Sequence, residues 1–185
     1  MVDTLIIGEG PGGLSAALFL ARGEQEVVVY GEGKTAMRWA QLNNYLGIAS
    51  THGLDFQNFS RQQVQSAGAS IQDVRITALE RSDDGFVATT KDGDRVTATH
   101  VILSEGRAPK LGKALGLDVD EDGVISVDRN GLSSIPGVYV VGRSTRPGRS
   151  QAIISAGDGA AAALDILSRI AGESVCDWDS PPSDA

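Results

Sequence analysis

The chain has 185 residues, 41% of them hydrophobic and 22% charged, so it can bury a sizeable core and has the composition of an ordinary globular domain. Its 24 acidic and 16 basic residues give a formal net charge of −8, which disfavours nucleic acid as a partner. A single cysteine, Cys176, excludes both an internal disulfide and a redox-active cysteine pair within this sequence.

No apolar run is long enough to cross a membrane, and a core strand begins the chain, so we expect no membrane partner, no signal peptide and a cytoplasmic location. The acidic residues are mostly Asp, and the basic residues include few Lys. This balance resembles the surfaces of proteins from salt-loving organisms, with an ordinary acidic cytosolic protein as the equal alternative.

The N-terminal stretch is typical of a strand, a glycine turn, a helix and a second strand. A short apolar strand, Thr4 to Ile7, leads into the glycine-rich turn formed by Gly8, Gly10, Pro11, Gly12 and Gly13. In the GxGxxG spacing, the first glycine permits a tight turn, the second lets a pyrophosphate approach the backbone, and the third lets helix and strand pack closely. The spacing therefore predicts a dinucleotide phosphate at the start of a helix over 11–22, with a merely structural turn as the alternative.

The second strand, Glu26 to Tyr30, ends without the acid that a nucleotide ribose usually meets at this point. The nearest acid, Glu32, arrives one or two residues late. We take Glu32 as the candidate for the ribose hydroxyls, and a solvated turn residue is the alternative.

The middle of the chain predicts a helix and then a run of strands. Residues 34–50 are interpreted as a loop with a short helix ending at 44–47, and the apolar spacing of 52–67 predicts a helix that begins near Thr51 and stops at Gly68. Turn sequences then separate three strands of an antiparallel meander, after which a buried strand returns to the parallel sheet; their ranges are 74–81, 85–91, 95–99 and 100–103.

The last third predicts a short helix over 110–115, a strand over 123–127, a buried strand over 137–142 and a long helix over 150–171 with Ser150 as its N-cap. Residues 1–172 are expected to form one domain, and 173–185 a polar tail. The expected fold is α/β, a Rossmann-like domain with a parallel sheet, a three-stranded antiparallel meander and flanking helices.

Three motifs, GEGPGGLSAA, SIPGVYVVG and RSQAIISAGDGAAAALDIL, occur in the order seen in the FAD domain of thioredoxin-reductase-like flavoproteins, a resemblance that covers nearly the whole chain. It implies FAD as cofactor, with Gln151 and Ala152 at the flavin pyrimidine edge and Asn44 beside the flavin. Ser150 stands where that family has arginine. The family's inserted NAD(P)H domain and its CxxC pair have no counterpart here, so no dithiol reductase activity is expected.

Two further departures concern the cofactor site. The family's Gly-Asp pair, whose Asp holds the ribityl chain, is Gly142-Arg143 here, and its Ala-Thr-Gly segment is Ser104-Glu105-Gly106. Arg143 could reach a pyrophosphate or a flavin carbonyl. Glu105 could turn toward a ribose hydroxyl or pair with Arg143.

The favoured reading is an FAD flavoprotein whose electrons come from, and go to, a separate protein or small molecule; no side chain stands out as catalytic, and no metal site is indicated. The alternative is a degenerate FAD- or nucleotide-binding module that acts as a regulatory or partner subunit. A free-standing NAD(P) domain fits less well, because the meander and closing helix belong to the FAD type. A homodimer is also expected, with Trp39, Phe56 and Phe59 at its surface, unless these residues fill the core.

Overall fold

The chain is built on a seven-stranded mixed sheet, seen in a computed structural model that describes residues 1–176. The sheet order is β5-β2-β1-β8-β7-β6, with β9 also paired to β8, while β3 and β4 form a separate hairpin. The elements are β1 Val2–Ile7, α1 Pro11–Arg22, β2 Val27–Tyr30, β3 Gln41–Leu42, β4 Thr51–His52, α2 Gly53–Ser66, β5 Ser70–Gln72, β6 Ile76–Ser82, β7 Gly85–Thr90, β8 Arg95–Leu103, α3 Lys110–Ala114, β9 Val138–Val140 and α4 Ala152–Ala171. The predicted α/β class is confirmed.

Strand β8 joins the meander to the parallel sheet. Its first half pairs antiparallel with β7, where Ala98 faces Phe86, and its last residues run parallel between β1 and β9. The prediction of two strands, 95–99 and 100–103, is therefore wrong. No turn residue separates Thr99 from His100, so one nine-residue strand takes part in both kinds of pairing.

The two faces of the sheet form two hydrophobic layers. Leu5 and Ile7 of β1 point to one layer and Ile6 to the other, as the period of two along a strand requires. Helices α1 and α4 cover the Ile6 layer, whereas α3 and the segment around Ile125 help to cover the opposite one. Within residues 1–176 no helix combines the length and the apolar character needed to cross a membrane.

Two predicted elements are wrong, and one strand was not predicted. Residues 123–127 do not form a strand, because the chain reverses tightly at 120–123 and leaves only a single bridge between Val119 and Ile125. Strand β5, which pairs with β2, was not predicted from its three residues. Residues 34–50 hold a 3-10 turn, Ala36–Trp39, and then β3, so no helix ends at 44–47.

The predicted start of α2 and the predicted N-cap of α4 also differ from those observed. Helix α2 begins at Gly53, two residues after Thr51, and the Nδ1 atom of His52 accepts the N–H of Leu54. Helix α4 begins at Ala152 after Gln151, which makes no side-chain capping bond, so Ser150 is not its N-cap. In the predicted tail, residues 174–176 form no helix or strand, and 177–185 lie outside the described residues.

Helices α1 and α4 are packed so closely that their main chains are in contact. A Cβ atom at Gly159 would collide with the carbonyl oxygen of Gly12 and lie 3.0 Å from the backbone nitrogen of Ala16. A neighbouring glycine of the same helix, Gly157, is exposed and has nothing within 4 Å of the equivalent position. Gly159 therefore lets α4 lie directly against the main chain of α1.

We expect Gly159→Ala to lower the free energy of unfolding by about 1–3 kcal/mol, because the added methyl group must push α4 away from α1. Gly157→Ala is the matched control: it should raise stability by up to about 1 kcal/mol, the usual gain in an exposed helix interior. Urea unfolding of both variants would measure the difference, and equal effects would contradict the close contact.

Candidate functional site

A cavity of about 420 Å³ opens where β1 and β8 end and helices α1 and α4 begin. In open α/β sheets this carboxyl edge is where ligands bind. Its walls come from the glycine turn, the segment after β2, the segment after β8 and the start of α4; the lining residues include Glu9, Gly31, Lys34, Met37, Ser104, Glu105, Arg107, Ser150 and Ser155.

The structure brings most of the sequence-predicted residues to this cavity. Its walls include Gly8, Gly10, Pro11, Gly12, Glu32, Gly142, Arg143 and Ala152. Three predicted residues do not line it: Gly13, Asn44 and Gln151. Gly13 packs against the backbone of Gly8, and the Nδ2 atom of Asn44 donates to Oε1 of Gln151 at 2.9 Å. The cofactor roles of all these residues stay predictions.

At its glycine positions the turn presents main chain, not side chains, to the cavity. Gly8 has φ = +106°, and a Cβ there would collide with the carbonyl oxygen of Ser104, so the crossing of β1 past the end of β8 requires glycine. At Gly10 the nearest atom to a Cβ position is the Ser104 hydroxyl, at 3.9 Å. A ligand phosphate could therefore come close to the backbone at this point.

Two helix N-termini point toward the same cavity. Helix α1 begins at Pro11 and helix α4 at Ala152, and neither has a side-chain hydrogen bond at its N-cap. Unpaired N–H groups and the positive end of the helix dipole make such a terminus favourable for an anion. The arrangement is suited to a ligand with negative charge or hydrogen-bond acceptors at two separate positions.

Arg143 supplies a further donor. The residue is half-buried, and its Nε atom is enclosed without a hydrogen-bond partner among residues 1–176. A guanidinium group has only donors, and buried donors are normally hydrogen-bonded. Because Arg143 lines the cavity, we expect a ligand in the cavity to supply the acceptor for this atom.

Glu105 does not serve as that acceptor. Its carboxylate accepts the backbone N–H groups of Leu111, at 2.9 Å, and Gly112, at 3.0 Å, at the start of α3. Burial raises the pKa of Glu105 above its ordinary value, although these backbone donors act in the opposite direction. The pairing with Arg143 that the sequence allowed is therefore absent.

Glu32 lines the cavity in the segment after β2. Its side chain is 29% exposed, and one carboxylate oxygen lies 3.4 Å from Nζ of Lys34. A second acid nearby, Glu9, was missed by the sequence reasoning, because GxGxxG leaves its second position free. The Glu9 side chain is 2% exposed, accepts the N–H of Gly33 and forms an ion pair with Arg61. The sequence did contain a signal for Glu9: Gly31 stands directly after β2, where an acid is usual, and the glycine turn contains an acid.

In the part of the chain that the structure describes, no cluster of His, Cys, Asp or Glu could hold a metal ion. The cavity residues are instead backbone amides, hydroxyl groups, arginines and the acids described above. They can bind and orient an anionic nucleotide, and they do not present a nucleophile paired with a base.

The profile of the pyridine nucleotide-disulphide oxidoreductase family matches residues 45–159. Thioredoxin reductase from Helicobacter pylori is 32% identical over 115 residues, which are 60% of this chain and 37% of that protein. The soluble pyridine nucleotide transhydrogenase of Vibrio atlanticus is 26% identical over 141 residues, 68% of this chain and 30% of that protein. The match thus spans well under half the length of these curated relatives.

Solved structures show the same fold. A thioredoxin reductase from Gloeobacter violaceus superposes with a TM-score of 0.85 at 17% identity, covering 96% of this chain and 98% of that one. The atypical thioredoxin reductase TRi from Desulfovibrio vulgaris Hildenborough gives 0.84 at 19% identity, covering 94% and 99%. Sheet, helices and family profile agree, and the chain belongs to the pyridine nucleotide-disulphide oxidoreductase family, with a fold like that of the thioredoxin reductases.

Proposed function

We propose that this chain is an FAD-binding flavoprotein of the thioredoxin-reductase-like type, acting as an oxidoreductase or electron-transfer component with an external electron donor and acceptor. The observation that carries the proposal is the convergence of two uncapped helix N-termini, those of α1 and α4, on one cavity. They provide N–H donors for a pyrophosphate at one position and for an electron-rich ring edge at another. Family members typically bind FAD, which supports the same assignment.

The proposed contacts follow the layout of the cavity. The glycine turn would hold the pyrophosphate, Glu32 the adenosine ribose, and the start of α4 the flavin edge; the residues assigned to the cofactor are Gly8, Gly10, Pro11, Gly12, Gly13, Glu32, Asn44, Gly142, Arg143, Gln151 and Ala152. FAD, when bound, would supply the redox centre. The chain would bind it, orient it and place donors beside its acceptor atoms.

Gln151 and Asn44 fit this scheme indirectly. Their mutual hydrogen bond ties the loop after β3 to the first residue before α4, across 107 positions of sequence. By fixing that loop it would fix one wall of the flavin end without either side chain lining the cavity. We therefore propose them as residues that shape the cofactor site.

The direct test is flavin content. We expect the purified chain to be yellow, or to become yellow when incubated with FAD, and to release FAD on acid treatment. The absorbance spectrum after removal of free flavin measures this. A preparation that stays colourless with excess FAD would contradict the proposal and favour the alternative, a nucleotide-binding or regulatory module without redox chemistry of its own.

Replacement of Arg143 should weaken FAD binding. The partnerless Nε would donate to a phosphate oxygen or flavin carbonyl, and such a charge-assisted bond contributes about 1.5–3 kcal/mol. Arg143→Ala should therefore lower the affinity about 10- to 100-fold in a fluorescence titration. Arg149→Ala is the matched control, because Arg149 is exposed in the same loop and lies outside the cavity.

Arg143→Asp separates the two orientations of this side chain. If Arg143 contacts the cofactor, an aspartate repels the pyrophosphate and binding weakens further than in Arg143→Ala. If Arg143 points to solvent when FAD is bound, the aspartate restores the ribityl acceptor that the resemblance implies and binding tightens. Unchanged affinity in Arg143→Ala would show that the residue is not a cofactor ligand.

The chain alone should not reduce disulfides with NADPH. Its sequence has one cysteine and one GxGxxG turn, so neither a dithiol centre nor a second nucleotide site of that type is available within it. We expect the FAD-loaded chain to reduce a disulfide reagent with NADPH no faster than the background rate measured without the chain. Efficient turnover would show that the interpretation of the missing segment is wrong.

We also propose a homodimer. Trp39 is 88% exposed and Phe59 66%, so they do not fill the core of the single chain. The rings of Phe56 and Tyr45 contact each other in a tilted arrangement, with centroids 5.4 Å apart, in the same region where the 3-10 turn meets α2. Large exposed aromatic side chains of this kind are typical of protein–protein contacts.

Light scattering at tens of micromolar should give about twice the chain mass of 19.3 kDa. The double variant Trp39→Glu/Phe59→Glu should give the monomer mass, because two charges would lose their hydration in the interface. Ile170→Glu, at a 50% exposed position near the far end of α4, is the control and should stay dimeric. A monomeric wild-type protein would contradict the proposal.

A further inference from the structure

A charged cluster centred on the buried side chain of Glu9 lies at the end of β2. Glu9 extends from the glycine turn, and its carboxylate both accepts the N–H of Gly33 and contacts the guanidinium group of Arg61. Arg61 belongs to α2 and also contacts Asp73 at 2.8 Å. Because Glu9 is only 2% exposed, its charge is balanced by these donors and not by water.

The Glu9 carboxyl group fills the space of a missing side chain. A Cβ atom at Gly31 would lie 2.7 Å from Cγ and Cδ of Glu9. Gly31 directly follows β2, the place from which nucleotide-binding folds of this type usually present an acid to the ribose. Besides Glu32, this end of the cavity thus has a carboxyl group that comes from the glycine turn and not from the strand.

Helix α2 ties the turn after β2 to the glycine turn. Gln57 is 3% exposed, and its Nε2 atom donates to the backbone carbonyl of Glu9. Arg61 lies one helical turn further along the same face of α2. One helix therefore holds both the backbone and the side chain of Glu9, and through them the N–H of Gly33.

We propose that Glu9 and Arg61 are specificity-determining residues that hold the 31–33 turn in the shape that accepts the adenosine half of a dinucleotide. This proposal rests on the proposed flavin binding only in that it takes the non-adenosine half of the dinucleotide to be a flavin. Since FMN has no adenosine half, the pair sets the preference of the site for FAD over FMN. Arg61 also keeps the buried carboxylate from repelling the ligand phosphates.

The test compares three ligands, ADP, FMN and FAD, by titration of the full chain. The double variant Glu9→Gln/Arg61→Met neutralises the pair without leaving a lone buried charge. It should weaken ADP and FAD about tenfold and change FMN by less than about twofold. Gly31→Ala should have the same selective effect with no change of charge, because the new methyl group displaces the Glu9 carboxyl group.

Glu80→Gln/Arg81→Met is the matched control, since it neutralises an adjacent exposed pair on the meander and should alter none of the three affinities. Thermal unfolding of each variant shows whether it is folded. If the double variant is unfolded, Arg61→Lys replaces it in the test. This substitution keeps the positive charge but loses the forked geometry of the guanidinium group, so it should give a smaller selective loss of ADP and FAD affinity.

The outcomes separate this proposal from the proposed function. Equal weakening of FMN and FAD, or unchanged ADP affinity in the double variant, overturns the role of Glu9 and Arg61 and leaves flavin binding intact. Binding of ADP without any flavin overturns the flavoprotein proposal, while a selective loss of ADP in the variants still supports the role of the pair. A wild-type chain that binds none of the three ligands overturns both.

Discussion

The contact that the rest of the site depends on is the backbone approach of α1 to α4. Gly159 has no side chain, so the carbonyl oxygen of Gly12 can lie against α4, and Gly12 itself is hemmed in by Ser155 and Val141 at 3.0 and 3.1 Å from its Cβ position. A side chain at either glycine would separate the helices. Because their starts lie beside this contact, the two N-termini share one cavity, and main-chain packing fixes their relation.

The electrostatics of the cavity are more favourable to an anion than the net charge of −8 implies. The two acids that face inward next to the phosphate region are already bound by N–H donors: Glu9 by Gly33 and Arg61, and Glu105 by the first amides of α3. Arg143 and two helix termini remain available as donors. Local hydrogen bonding therefore decides the sign of the potential that a ligand meets.

Elements with local signals could be predicted well from the sequence. Helix α1 has the predicted bounds, Pro11–Arg22, because the glycine turn, Pro11 and Gly23 mark both of its ends. Signals failed where partners distant in sequence decide the structure. Strand β8 continues through His100 because β1 and β9 pair with it there, and β5 exists because β2 provides an edge for three residues.

The candidate site shows the same division. The glycine spacing predicts the turn, and the family resemblance points to Arg143 and Ala152; apart from Gly13, these residues line one cavity. The resemblance implies Asn44 and Gln151 beside the flavin, and the structure adds a hydrogen bond between them, which no sequence motif shows because the two residues lie 107 positions apart. Glu9 was missed for the same reason: its importance comes from Arg61, 52 positions away.

The pairing of β8 with β9 has a consequence for how such a chain can lose or gain a domain. Val101 faces Val138 in the parallel register, so the segment 104–137 begins and ends at neighbouring strands. The resemblance implies that related flavoproteins carry their NAD(P)H domain between these same strands. For a flexible connection, each doubling of its length adds only about 0.6 kcal/mol of closure entropy. Closure entropy alone therefore allows connections of very different length between β8 and β9 without a change of strand order.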